Sequence, residues 1–258
     1  VPELPEVEIY SRYFAKHGLG KKIAAVRVLD PRILGVTRPD RLKRELQGRA
    51  FRRVRRHGKH LFADAGSSWL HLHFGMTGDL ASYRGEDPRF AKVVFDFAGE
   101  HLAFEDMRLF GVVDLTPDPD RFIEEHRLGP DPLDPRFRVA DFRALLEGRR
   151  GAIKSLLMSQ EIIAGIGNLY ADEILFQTSI HPRRTVDALS AAEQRTILVT
   201  MRRILRDVIE RQESGREPAR SWLLMHREED ARCRKCGGPI ARSVVFGRTT
   251  YFCSRHQR

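Results

Sequence analysis

The tightest constraint on this chain lies in its last 26 residues, where Cys233-x2-Cys236 and Cys253-x2-His256 stand sixteen residues apart. Pairs at this spacing form two tight knuckles, and three thiolates with one imidazole suit a closed tetrahedral zinc site. These are all the cysteines the chain has. Three cannot complete a set of disulfides, so metal binding is the better reading than a cross-linked secreted scaffold. Between the pairs, residues 242–246 and 249–252 alternate around Gly247 and read as a β-hairpin with Arg248 at or near its tip. So small a hairpin cannot bury a core, and one structural Zn2+ would supply its folding energy. The metal is then a staple, and the presented arginine is the functional part.

Residues 231–258 carry Arg232, Arg234, Lys235, Arg242, Arg248, Arg255 and Arg258 and no acid, and residues 49–59 hold six further cations unopposed. With a net charge of +10, these clusters are the footprint of a polyanion binder rather than of a chain merely solvating its surface. No apolar run reaches the roughly 18 residues of a membrane span. Glu3, Glu6 and Glu8 stand where a signal peptide would start positive. A soluble, cytosolic protein is expected.

Hydrophobic periodicity divides the chain. Val7, Tyr10 and Phe14 repeat at helical spacing and Gly18 offers a stop. Short β-branched and aromatic segments follow at 22–29, 51–56, 69–74, 93–97, 101–104 and 111–115, as in a β-sandwich. The proline- and acid-rich stretch 116–137 breaks both periods and reads as a linker. Helical patterns then occupy 141–147, 152–160, 169–177 and 190–212, the last with Ile197, Met201, Ile204, Leu205 and Val208 on one face. The class is α+β, divided as 1–118 (β-sandwich with an N-terminal helix), 119–136 (linker), 137–226 (helical) and 227–258 (zinc-bound hairpin).

The opening PELPEVE at residues 2–8 closely resembles the amino terminus of formamidopyrimidine-DNA glycosylases. The likeness recurs, in order, in RRHGKHLF around Lys59, HFGMTG around Met76, EDMRLFG around Arg108, AIKSLLM around Lys154, GIGNLYADEILF around Asn168, and the hairpin with Arg248. It implies a β-sandwich and a helix-two-turn-helix domain with damaged double-stranded DNA in the cleft between them. It also implies a monomer working on the nucleoid in the bacterial cytoplasm, by base excision repair.

By this resemblance Pro2 attacks C1′ of the damaged nucleotide, the base leaves, and the iminium acidifies the 2′ proton for β,δ-elimination. The chemistry suits the residue. An α-amine has a pKa of about 7.7 to 8.0 against about 10.4 for lysine, so roughly 300 times more of it is unprotonated at neutral pH. Glu3 would be the acid that protonates the ring oxygen or leaving group, and Lys59 would bind the adjoining phosphate and assist proton transfer. Met76, Arg108 and Phe110 match the intercalating trio that fills the gap left by an everted base. Lys154 and Asn168, the latter at the N-cap after Gly165-Ile166-Gly167, match a phosphate clamp. His73 and Arg248 match further phosphate contacts, Arg248 also aiding elimination, while Arg149 and Arg150 add charge nearby.

The chain departs from the family pattern in places. Val1 would hold the Pro2 nitrogen in an amide, which is no nucleophile; a GUG start codon, read as methionine and trimmed before proline, would free it. His256 replaces the usual fourth cysteine, a change zinc accepts. Met107 and Leu109 replace a proline and a basic residue of the opposite-base loop. Residues 211–232 are shorter than the family's lesion-capping loop and lack its tyrosine, and His226-Arg227-Glu228 resembles the endonuclease VIII branch. Oxidised purines are the expected substrates, with oxidised pyrimidines the alternative. A non-catalytic damaged-DNA binder, if Val1 is retained, and an RNA-binding zinc ribbon are the competing classes.

Overall fold

The computed structural model describes residues 2–229 and 231–258. Val1, on which the state of the Pro2 nitrogen turns, lies outside the described residues. The chain divides into two compact units, one ending at His126 and the other starting at Arg127.

In the first unit, helix α1 (Leu4–Gly18) buries Leu4, Val7 and Phe14 along one stripe, and the Glu6 carboxylate accepts the Glu3 N–H at 2.8 Å at its start. Eight strands follow: β1 (Ala25–Val28), β2 (Val54–His57), β3 (His60–Asp64), β4 (Trp69–His73), β5 (Gly78–Tyr83), β6 (Ala91–Asp96), β7 (His101–Asp106) and β8 (Val112–Thr116). They form two antiparallel four-stranded sheets, ordered β1-β6-β7-β5 and β2-β3-β4-β8. One apolar core serves both. Val26, Val93, Phe95, Leu102 and Phe104 of the first sheet join Leu61, Leu70, Leu72 and Val113 of the second, with Phe14 and Phe51 beside them. This is the expected sandwich.

Two helices escape the sequence pattern. Helix α2 (Pro39–Leu46) is eight residues long and buries only Leu42 and Leu46. Helix α3 (Pro119–Glu125) lies in the stretch expected to be a linker, where Asp118 accepts the N–H groups of Asp120 and Arg121 and Pro119 opens the helix. Its Phe122 ring packs 4.4 Å from His71 and 5.3 Å from both His60 and Phe62. It therefore covers the face of the second sheet that points away from the core, and β4 is buried on both sides.

The second unit contains α4 (Val139–Leu146), α5 (Ile153–Met158), α6 (Asn168–Thr178) and α7 (Ala191–Glu213), then a hairpin of β9 (Ile240–Val245) and β10 (Arg248–Cys253). Ser190 and Glu193 exchange side-chain and backbone bonds at the start of α7, and Ile197, Met201, Ile204, Leu205 and Val208 are all buried. Helix α6 is nearly surrounded, since even Asp172 and Glu173 are enclosed. Among the described residues no helix is long and apolar enough to cross a membrane.

Candidate active site, nucleic-acid interface and metal centre

In the first unit, Pro2 is half-buried immediately before α1, and Glu3 is 3 % exposed at the helix start. Arg56 donates to Glu8 at 2.7 Å, which ties α1 to β2 beside the turn that carries Lys59. Gly58, with φ of 55°, makes that turn possible.

His73 ends β4 in a group of stacked imidazoles that the sequence reading did not anticipate. His60 lies 5.0 Å from it, ring to ring, and His60 Nδ1 meets His71 Nε2 at 2.9 Å. Burial, reinforced by neighbouring imidazoles, holds His60 well below its ordinary range and His71 at about 3. Burial followed by the nearby Lys59 charge also lowers His73. The rings are therefore neutral at physiological pH. His73 Nδ1 accepts the Gly75 N–H at 3.3 Å, which leaves the proton on Nε2 as a neutral donor.

Met76, Arg108 and Phe110 are brought together by a residue outside the expected set. The fully buried Asp106 carboxylate accepts Thr77 Oγ1 at 2.5 Å, the Arg108 N–H at 3.0 Å and the Gly111 N–H at 2.6 Å. Thr77 follows Met76, so one carboxylate bolts the 74–78 turn to the 107–111 loop. Gly75, at φ of 54°, lies so close to the Phe110 carbonyl that a Cβ would overlap it. On this mount Met76 is 40 %, Met107 57 % and Phe110 52 % exposed, and the Arg108 guanidinium sits 4.8 Å from the Phe110 ring. Exposed large apolar side chains on a rigid mount mark a binding surface.

In the second unit, Lys154, Asn168 and the hairpin meet at one point. Lys154 Nζ and Asn168 Nδ2 both donate to the Thr249 carbonyl, at 3.5 and 3.0 Å, next to Arg248. One expectation is corrected. Gly167 is the N-cap of α6 and Asn168 its first helical residue, because Asn168 spends its amide on the hairpin. Lys154 is fully buried, paired with Asp172 at 2.6 Å and donating to Thr250 Oγ1 at 2.6 Å, so its ammonium braces α5, α6 and β10 instead of facing solvent. Asp172 also takes Arg227 at 2.8 Å, which gives the His226-Arg227-Glu228 element an internal structural task. Arg149 is exposed and donates to the Leu145 carbonyl at 2.7 Å; Arg150 is exposed beside it.

The four expected metal ligands converge, with their ligand atoms all within 4.8 Å of one another. Cys236 Sγ lies 3.4 Å from Cys253 Sγ, and His256 Nδ1 lies 3.4 and 3.6 Å from the sulfurs of Cys233 and Cys236. A tetrahedron with metal–sulfur bonds of about 2.3 Å and a metal–nitrogen bond of about 2.0 Å has edges of roughly 3.5 to 3.8 Å. The Phe176 carbonyl, 3.3 Å from His256 Nε2, fixes that proton and frees Nδ1 for a metal. Backbone N–H groups of Lys235 and Gly238 reach the sulfurs of Cys233 and Cys236 at 3.4 Å each. The residues fit a closed metal site.

Comparison with known proteins agrees over the whole chain. The model of the formamidopyrimidine-DNA glycosylase N-terminal domain matches residues 1–113, and that of the H2TH domain of the same enzymes matches residues 128–219. Formamidopyrimidine-DNA glycosylases of Methylococcus capsulatus and Geobacter metallireducens are 37% and 36% identical, each covering 100% of both chains. The solved structure of the Lactococcus lactis enzyme, non-covalently bound to an AP site containing DNA, superposes with a TM-score of 0.89 at 29% identity and covers 99% of each chain. With its α+β architecture, its two matched domains and its Cys/His-bearing hairpin, the chain belongs to the formamidopyrimidine-DNA glycosylase family.

Proposed function

We propose that this protein is a base-excision glycosylase that removes oxidised purines from duplex DNA and then cleaves the strand as a lyase. The observation that carries the reading is the bolted pair of loops that presents Met76 and Phe110 to solvent with Arg108 over the ring. A base must leave the stack before C1′ can be attacked, and apolar fillers with a guanidinium donor suit the gap and its orphaned partner. Lactococcus lactis relatives solved with abasic and Fapy-dG DNA support the substrate class.

In this reading the Pro2 nitrogen, once free of an acyl group, attacks C1′ and the C1′–N bond breaks toward the base. The enclosed Glu3 carboxyl delivers the proton to the ring oxygen or the leaving base. The iminium then acidifies C2′; the C2′–H bond breaks with its proton passing to water, and the released electron pair expels the 3′ phosphate by elimination. Lys59 binds the adjoining phosphate, and neutral His73 donates to another through Nε2 without adding charge. Arg248 holds the backbone from the hairpin, with Asn168 and the exposed Arg149 beside it. Lys154 acts at one remove, by fixing Thr249 and Thr250. Cys233, Cys236, Cys253 and His256 hold one zinc ion, which staples the hairpin and takes no part in bond breaking. The bacterial relatives support a cytoplasmic location.

The test is borohydride trapping on duplexes that carry a formamidopyrimidine or an oxidised pyrimidine, using protein whose mass shows that it begins at Pro2. A covalent adduct, faster with the purine lesion and weakened or altered on Pro2→Gly, is expected. Tight binding with neither adduct nor base release would replace the enzyme with a damaged-DNA binder, and preference for the pyrimidine lesion would overturn the substrate class.

A further inference from the structure

The tip of the hairpin is built against its own backbone preference. Val245 pairs with Arg248 across a two-residue turn in which Phe246 has φ of 50° and Gly247 φ of 71°. Two positive φ values are the signature of the tight turn that matches strand twist, and asparagine or aspartate followed by glycine is the usual choice. Gly247 obeys the rule. Phe246 does not, because a bulky aromatic is an outlier in the left-handed region. No local packing accounts for it, since Phe246 is 85 % exposed and Val244 61 %.

An exposed ring in a conformation that suits a smaller residue points to a role outside the fold. Its surroundings say which. Phe246 lines an open cavity of about 440 Å³ with Arg149, Arg150, Ser155 and Ser159 and with the aliphatic Leu156 and Ile162, and it stands two residues from Arg248. No acid lies in residues 231–258. The tip is also held in place, because Arg183 donates to the Val244 carbonyl at 2.9 Å and Lys154 to Thr250 Oγ1 at 2.6 Å. An apolar ring held beside cations, hydroxyls and aliphatic side chains matches one polyanion in particular, a nucleic-acid strand whose phosphates alternate with apolar sugar and base faces.

We propose that Phe246 is a DNA-contacting residue, which lays its ring against the sugar and base face of a nucleotide whose phosphates are held by Arg248 and the Arg149–Arg150 loop. The inference rests on the DNA reading above and adds to it a contact that carries no charge. Its effect on binding is therefore separable from that of every cation around it. Removing an apolar contact weakens binding without changing how many counterions are released, whereas removing a cation changes both.

The decisive substitution is Phe246→Asn, because asparagine suits this turn better than phenylalanine and leaves the hairpin at least as stable. Full-length, metal-loaded protein is titrated at several salt concentrations with a duplex that carries a non-cleavable tetrahydrofuran site, and with the undamaged duplex. Phe246→Asn is expected to raise Kd for the damaged duplex about 5- to 20-fold with an unchanged log–log salt slope and unchanged metal content. Phe246→Tyr, which keeps the ring, stays within about twofold of the parent, and Arg248→Ala flattens the slope by about one. A Phe246→Asn variant that binds as tightly as the parent, or a Phe246→Tyr variant that binds as poorly as Phe246→Asn, overturns the contact and leaves the DNA reading standing. A parent that does not prefer the damaged duplex overturns both.

Discussion

Glu173 offers a quantitative test of how the second unit is assembled. It is fully buried in α6, where its carboxylate accepts Gln177 Nε2 at 2.6 Å and the Leu224 N–H at 2.9 Å, with no cation within salt-bridge reach among the described ion pairs. Burial pushes its pKa from 4.5 up to about 7. Between those values the folded state keeps a proton that the unfolded state has lost, so stability falls as pH rises through the window and is flat above it. Each pH unit is worth about 1.36 kcal/mol. From pH 5.5 to 8.5 the cost is therefore about 2 kcal/mol, accrued almost wholly below pH 7. Glu173→Gln removes the titration while the Gln177 amide turns to accept where it had donated.

The assay is urea unfolding followed by tryptophan fluorescence. The chain has two tryptophans, and Trp69→Phe leaves Trp222, which is 4 % exposed and adjoins the Leu223–Leu224 segment bonded to Glu173. In that background Glu173→Gln should gain about 2 kcal/mol over its parent on going from pH 5.5 to 8.5. A difference between the two proteins that stays constant over that range would refute the reasoning, since it would mean that the carboxyl keeps one charge state throughout.

Other outcomes follow from the site. Asp106→Ala removes the acceptor shared by both exposed loops; each bond to a buried carboxylate is worth about 1.5–3 kcal/mol, so base release from duplex DNA should fall on the order of 100-fold. The same lesion placed opposite a gap, measured by single-turnover kinetics, should be released with less than a roughly tenfold loss. Chelation of the metal, or Cys253→Ser, should expose the amides of β9 and β10 to hydrogen exchange and abolish duplex binding while α7 stays protected, since the staple contributes about 10 kcal/mol or more to so small a module. Persistence of hairpin protection after the metal is stripped would show that the hairpin folds without it.

Much of this was legible because it is local. The ligand spacing, the apolar stripe of α7 and the alternation around Gly247 each lie within one element, and each appears where the pattern put it. What escaped depends on distant partners. Helix α3 reads as broken linker until Phe122 is seen covering His60 and His71. Strand β4 alternates leucine with histidine, which suggests one wet face; the fold buries both. The burial of Lys154, matched by resemblance to a phosphate clamp, depends on its pairing with Asp172, which no local pattern announces. Asp106 was invisible as a functional residue, because its three bonds reach the backbone and a threonine 29 residues away.

That carboxylate has a consequence for how the exposed loop beside it can vary. The loop that carries Arg108 and Phe110 takes its shape from main-chain amides gathered around Asp106, and Met107, 57 % exposed, contributes nothing to that gathering. Position 107 is therefore an interchangeable tool head on a fixed handle. Exchanging it changes the exposed face of the loop, while the turn gathered around Asp106 keeps its form.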